Sequence, residues 1–159
     1  MGTVRWLDDD EQRAWRSLQF MQMRLDGELA RQLASEAGLS YPDYLVLVAL
    51  TDRPDGRLRP YELSEILGWE KSRVSHQVSR MVDRGLVEKK ACDSDRRGAF
   101  VLVTGKGRRE LEAAAPGHVA MVRRLFVDVL TPGQLEAIGD AAQKVLAAID
   151  AAREASPTA

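Results

Sequence analysis

Between Pro60 and Val103 two short stretches with helical spacing meet at a single glycine, Gly68, and run directly into two segments with strand composition. Proline is well tolerated at the first helical position, where its missing N–H is not needed, so Pro60 marks the start of a helix reaching Leu67. Gly68 stops it. A second helix follows from about Glu70 to Gly85. Val87–Ala91 and Ala99–Val103 then read as strands, joined by the polar, charged tip Cys92-Asp93-Ser94-Asp95-Arg96-Arg97-Gly98. Two short helices around a tight turn, with a two-stranded hairpin immediately after, form the pattern of a winged helix-turn-helix. The expected fold class is mainly α, of the α+β kind.

Helices are expected on both sides of this unit. Asp8 and Glu11 have capping-box spacing, with Asp in the place of Ser or Thr. Apolar residues follow at Trp15, Leu18, Met21, Leu25, Leu29 and Leu33, in steps of three and four. That predicts one long helix over residues 8–35, ended by Gly38. Tyr41–Thr51 reads as a second, apolar and central helix, and Arg53-Pro54-Asp55-Gly56 as a turn. Leu58 fits a very short strand. After the hairpin, Thr104 can cap a helix toward Leu130, which Pro116-Gly117 is expected to kink or interrupt. Thr131-Pro132, with Gln134, opens the last helix. The organisation expected is one continuous domain, with residues 1–36 an N-terminal helix, 40–104 the winged region and 105–155 the C-terminal helices. Terminal helices with apolar stripes and no obvious partner in the chain are expected to pair across a two-fold axis. Trp6, Leu7, Trp15, Leu125, Phe126, Leu130, Leu135, Leu146 and Ile149 are the candidate contacts of that homodimer.

The formal net charge of −1 argues neither for nor against a polyanionic partner, but its distribution is informative. Residues 71–109 carry eleven basic against four acidic side chains, a net of +7, while 1–70 come to −5 and 110–159 to −3. One cationic block between two anionic ones fits a localised polyanion-binding surface. On a wheel of the second short helix, Val74, Val78, Met81 and Val82 share one sector that can pack on the helix before it. The opposite side holds Ser72, Arg73, His76, Ser79, Arg80 and Asp83, with Ser75 and Gln77 on the flanks. Such side chains hydrogen-bond to base edges, Arg to guanine, Gln to adenine and Ser to either. A merely solvated face would carry paired Glu and Lys, which this one lacks. In the hairpin tip, Asp95 can orient Arg96 or Arg97 for a narrow minor groove. The candidate contacts to double-stranded DNA are thus Ser72, Arg73, Ser75, His76, Gln77, Arg80, Asp95, Arg96 and Arg97. Lys89, Lys90, Lys106, Arg108 and Arg109 can reach phosphates.

Other chemistries find little support. There is no Gly-rich phosphate loop, no Gly-x-Ser-x-Gly and no nucleophile–base spacing, so no enzymatic activity is expected. His76 and His118 stand outside any cluster with metal-ligand spacing, so neither metal nor cofactor is expected. Cys92, the only cysteine, excludes an internal disulfide framework and fits a reducing cytoplasm, with a packing role favoured over a redox one. No apolar run approaches the roughly 18 residues of a membrane span, and the acidic cluster Asp8–Glu11 is unlike a secretory signal. Trp15, Met21, Tyr44 and His118 are candidates for lining a small-molecule pocket, with packing as the alternative for each. A winged-helix protein-interaction module is the rival function, and it would not need the cationic block.

The run EKSRVSHQVSRMVDRGLVEKKACDSDRRGAFVLVTGKG at 70–107 resembles the MarR family of bacterial regulators, and the likeness extends over about residues 10–150. Its pieces are Arg84-Gly85-Leu86-Val87, Asp95-Arg96-Arg97 and Thr104-Gly105-Lys106-Gly107, with Val103 where the family usually has Leu. The resemblance implies an obligate homodimer joined by its terminal helices, binding a pseudo-palindromic operator and usually repressing. It also implies release of DNA by a small, often aromatic or phenolic ligand bound between the DNA-binding and dimerisation regions. Control by abundance or a protein partner, with no ligand, stays open. The family's redox-sensing members carry their cysteine in the first helix, where this chain has none.

Overall fold

Short polar caps fix where the helices begin. Asp8 Oδ1 accepts from the Glu11 N–H at 2.8 Å, and Glu11 Oε2 accepts in return from the Asp8 N–H at 3.0 Å. The same reciprocal arrangement joins Ser40 to Asp43 and Thr131 to Gln134. The computed structural model describes residues 4–92 and 95–155, without the side chains of residues 92 and 95–98. Its elements are α1 (Asp9–Ala37), α2 (Tyr41–Thr51), β1 (Arg57–Leu58), α3 (Pro60–Leu67), α4 (Lys71–Asp83), β2 (Val87–Cys92), β3 (Asp95–Val103), α5 (Gly105–Val122) and α6 (Pro132–Ala155). A π-helical turn, Arg123–Val127, follows α5. The mainly α fold and the helix-turn-helix with its wing are as the sequence predicts.

Two compact units are present, one up to Val119 and one from Ala120. The first is built around a three-stranded antiparallel sheet of order β1-β3-β2. Leu58 pairs with Val101, and Val87 with Val103, so that Leu58, Val87 and Val101 point into the core. They meet Leu47 and Leu50 of α2, Leu63 of α3, and Val74, Val78 and Met81 of α4, all buried. Only the C-terminal part of α1 contributes, through Leu29, Gln32 and Leu33. The opposite sheet face carries Phe100, with the guanidinium carbons of Arg57 and Arg59 at 4.7 and 4.9 Å from its ring centre.

Two expectations change in detail. The strands reach further toward the tip than Ala91 and Ala99, with irregular pairing at Ala91/Cys92. The tip residues Asp93 and Ser94 lie outside the described residues. More tellingly, α5 is not interrupted at Pro116-Gly117; it continues to Val122, and the departure from α geometry falls at Arg123–Val127. A proline within a helix removes one ladder hydrogen bond without always ending it. Here Gly117 leaves room for the ends of the Gln32 and Glu36 side chains of α1, which a Cβ at that position would displace.

Candidate nucleic-acid interface

Gly68, at φ +63°, turns the chain between α3 and α4 in the left-handed region that favours glycine. The Trp69 N–H then donates to the Ser64 carbonyl at 3.0 Å, and the Ser64 hydroxyl donates to the Trp69 carbonyl. The turn is thereby closed from both sides. Val74, Gln77, Val78 and Met81 are the buried residues of α4. Their spacing of i, i+3, i+4 and i+7 is that of one helix face. Ser72, Arg73, Ser75, His76, Ser79 and Arg80 are exposed on the other side.

Two sequence expectations for this helix are corrected. Val82, expected in the apolar sector, is 37% exposed. Gln77, expected among the DNA contacts, is buried, and its Nε2 donates to Asp43 Oδ1 at 2.6 Å. The amide satisfies the Oδ1 atom of a buried carboxylate. Asp43 itself is 3% exposed and also accepts at Oδ2 from Arg84 Nη1 at 2.6 Å. The other arm of Arg84 donates to the Gly38 carbonyl at 2.9 Å. Arg84, one of the eleven cations of the central block, is thus spent on architecture. So is Lys106, whose Nζ donates to the Arg84 carbonyl at 2.9 Å.

What remains is a cationic surface. Lys71, Arg73, Arg80, Lys89 and Lys90 are exposed, and none forms an ion pair among the described residues. Arg73 has one specific neighbour: its guanidinium carbon lies 4.2 Å from the centre of the Trp69 ring. Asp95, Arg96 and Arg97 fall on β3 close to the wing tip, and their side chains lie outside the described residues. Sequence reasoning overlooked Trp69, although its position four residues before Arg73 on the edge of a helix is a signal for contact. It also overlooked Arg57 and Arg59, which stand outside the central block in sequence but beside β3 in space.

Of the four candidate pocket residues, two come together. The Tyr44 and His118 rings are 4.3 Å apart, where α2 meets α5. Close by, Gln32 Oε1 and His118 Nδ1 are buried and find no hydrogen-bond partner among the described residues. Burial raises the Tyr44 phenol above its ordinary value and lowers His118 below 6.5, so the ring is neutral at pH 7. Trp15 and Met21 are instead exposed on the N-terminal half of α1. At 1.5 Å per residue they lie about 25 and 16 Å along the axis from Gln32. The His118 shift has a definite sign in stability. As pH falls through 6.5 the unfolded chain takes up the proton first, so stability is full above that pH and declines toward the lower folded-state value. Urea denaturation between pH 5 and 7.5 should show this decline, and His118→Phe should flatten it; an unaltered profile would contradict the assignment.

Of the candidate dimer residues, Trp6 at 83%, Trp15 at 54% and Leu146 at 59% are strongly exposed, and Leu7 and Ile149 are exposed as well. Leu125, Phe126, Leu130 and Leu135 are half-buried. Among the described residues there is no group of three or more metal-ligating side chains and no helix long and apolar enough to cross a membrane.

A buried-face helix following a glycine turn, exposing arginines beside a basic hairpin, defines a winged helix-turn-helix protein. The family model for the MarR family matches residues 37–98. The crystal structure of AbsC, a MarR family transcriptional regulator from Streptomyces coelicolor, superimposes with a TM-score of 0.86 at 37% identity, covering 93% of this chain and 99% of that one. Sco3205, a MarR family regulator from the same organism solved in complex with DNA, gives 0.84 at 37% identity, covering 96% of each chain. The transcriptional regulator HosA of Escherichia coli O127:H6 is 33% identical over 78 residues. That match spans 49% of this chain and 56% of HosA, about half of each. The chain belongs to the MarR family of transcriptional regulators.

Proposed function

We propose that this protein is a sequence-specific double-stranded DNA-binding regulator, and a repressor, acting in the cytoplasm as a homodimer on a pseudo-palindromic operator. The observation that carries this is the division of α4. Val74, Gln77, Val78 and Met81 hold it to the core, while Ser72, Arg73, Ser75, His76 and Arg80 stand exposed within a cationic surface whose Lys71, Arg73, Arg80, Lys89 and Lys90 form no ion pair among the described residues. Arginine on such a helix can pair with guanine in the major groove, and Lys89 and Lys90 on β2 can hold phosphates. Asp95, Arg96 and Arg97 on the wing are assigned to the minor groove on the sequence argument alone. Sco3205, similar along nearly its whole length, was solved with DNA, which supports the same role here.

The homodimer reading rests on the large apolar side chains that α1 and α6 leave in solvent. No residue of the 24-residue helix α6 is buried, and its Val145, Leu146 and Ile149 are exposed, an apolar side that suits a partner helix. A two-fold dimer would set its recognition helices about 34 Å apart, one turn of DNA. The effector reading rests on Tyr44 and His118, whose rings meet at a tilt of 38°, and on Gln32 Oε1, which has no hydrogen-bond partner among the described residues; together they suit a small aromatic ligand bearing a hydrogen-bond donor. One experiment tests the central claim. A duplex selected by the protein from a random pool should bind as a dimer by sedimentation, and Arg73→Ala should weaken binding by about 1–3 kcal/mol. Failure to enrich any duplex, or an unchanged affinity of the variant, would reject it.

A further inference from the structure

We infer that Trp69 is a specificity-determining positioning residue, which prealigns the Arg73 guanidinium for recognition of a guanine edge. The inference rests on the DNA-binding reading above. Trp69 is well placed to act as a fixed platform. Its backbone is held by Ser64 on both its N–H and its carbonyl, and its ring is half-buried against the core. Arg73 is the third residue of α4 and fully on the exposed side. Its guanidinium carbon lies 4.2 Å from the Trp69 ring centre, a cation–π distance. Arg73 makes no ion pair among the described residues, so the indole is what orders it.

The geometry matters because of how arginine recognises guanine. A bidentate contact uses two N–H groups on the edge of the guanidinium, in its own plane. Stacking on an aromatic face occupies the face of that group and leaves the edge available. An unsupported arginine on a helix surface would first have to give up its rotamer freedom. A guanidinium held over the Trp69 ring has already lost part of that freedom in the unbound protein. A phosphate contact, by contrast, tolerates many orientations and gains little from prealignment. Trp69 should therefore affect discrimination between sequences far more than general affinity for DNA.

The test uses the full chain and two duplexes, one selected by the wild-type protein from a random pool and one scrambled. Trp69→Met keeps an apolar side chain of useful size but removes the aromatic face, and Trp69→Phe keeps a weaker one. Trp69→Met is expected to lower affinity for the selected duplex by about two- to fivefold, with the scrambled duplex and the salt dependence unchanged. Trp69→Phe should recover part of the loss. In an Arg73→Lys background, which keeps the charge but not the plane, Trp69→Met should change neither duplex. Equal losses on both duplexes, or the same loss with Lys at 73, would show that Trp69 only supports the fold and would overturn the inference. A wild-type protein that enriches no duplex would instead overturn the DNA reading and this inference with it. Far-ultraviolet circular dichroism of each variant at the assay temperature shows that folded protein is compared; should Trp69→Met not fold, Trp69→Phe decides alone, undiminished discrimination counting against the inference.

Discussion

Replacing Gly107 with alanine is expected to destabilise the protein by about 3 kcal/mol, the upper end of the usual cost of overpacking a core. Gly107 is the third residue of α5, and Thr104 caps the helix by accepting from its N–H at 3.0 Å. A Cβ there would stand 3.1 Å from Leu47 Cδ2 and from the Leu86 carbonyl carbon, and would collide with the Leu86 carbonyl oxygen. Leu47 is wholly buried and has little room to turn away. The Leu86 carbonyl is held more firmly still, since it accepts from the Thr104 N–H and hydroxyl, both at 3.1 Å. The chain between Leu86 and α5 would have to shift, and with it the root of the wing. Gly105→Ala is the control: its Cβ would meet only the end of the Arg109 side chain, at 3.4 Å. That change should be neutral or stabilising by up to about 1 kcal/mol. Denaturation at one protein concentration compares the two, since the stability of the proposed dimer would depend on it. Equal stabilities would refute the packing argument.

Gly107 also shows where sequence reading stops. Its place in the Thr104-Gly105-Lys106-Gly107 motif was visible, but motif matching does not say that one glycine faces a carbonyl and the other faces solvent. The order of elements was legible because it is written in local signals: Pro60 and Gly68 around α3, the capping boxes at Asp8 and Thr131, and the strand composition of β2 and β3 around a polar, charged tip. The exposed face of α4 was largely legible for the same reason. Gln77 was misplaced because polarity was given precedence over spacing. Residues 74, 77, 78 and 81 form one face whatever their chemistry, and the apolar Val82 lies at its margin. A polar residue at a core position predicts a buried partner, and that partner, Asp43, is 34 residues away in sequence. Nothing local announces it. Trp15 and Met21 share the apolar stripe of α1 with Leu29 and Leu33, yet only the last two reach the core. A stripe's period identifies a face but not which turns of it are covered.

Asp43→Ala is expected to cost about 3 kcal/mol, somewhat under the cost of breaking a fully buried ion pair because Arg84 is partly solvated. The carboxylate caps its own helix through the Ser40 N–H at 2.9 Å. It also accepts from Gln77 in the middle of α4 and from Arg84 at its C-terminal end. Arg84 continues to the Gly38 carbonyl at the end of α1, so the α1–α2 junction holds the reading helix at two points. Alanine would leave the Gln77 amide buried without an acceptor, which adds the desolvation penalty of that group to the lost bonds. Asn would not restore the network, since its amide N–H groups would face the donors of Ser40 and Arg84. Arg84→Ala should cost nearly as much, about 2–3 kcal/mol, because although Arg84 is itself 42% exposed, its removal leaves the buried Asp43 carboxylate without its cation. The decisive quantity is the coupling between them. Once Asp43 is absent, removing Arg84 should cost only its bond to Gly38, so the double variant should be more stable than the two single losses predict. Additive losses in a denaturation cycle would mean that Asp43 acts through its helix cap alone and that α4 is positioned by its apolar face.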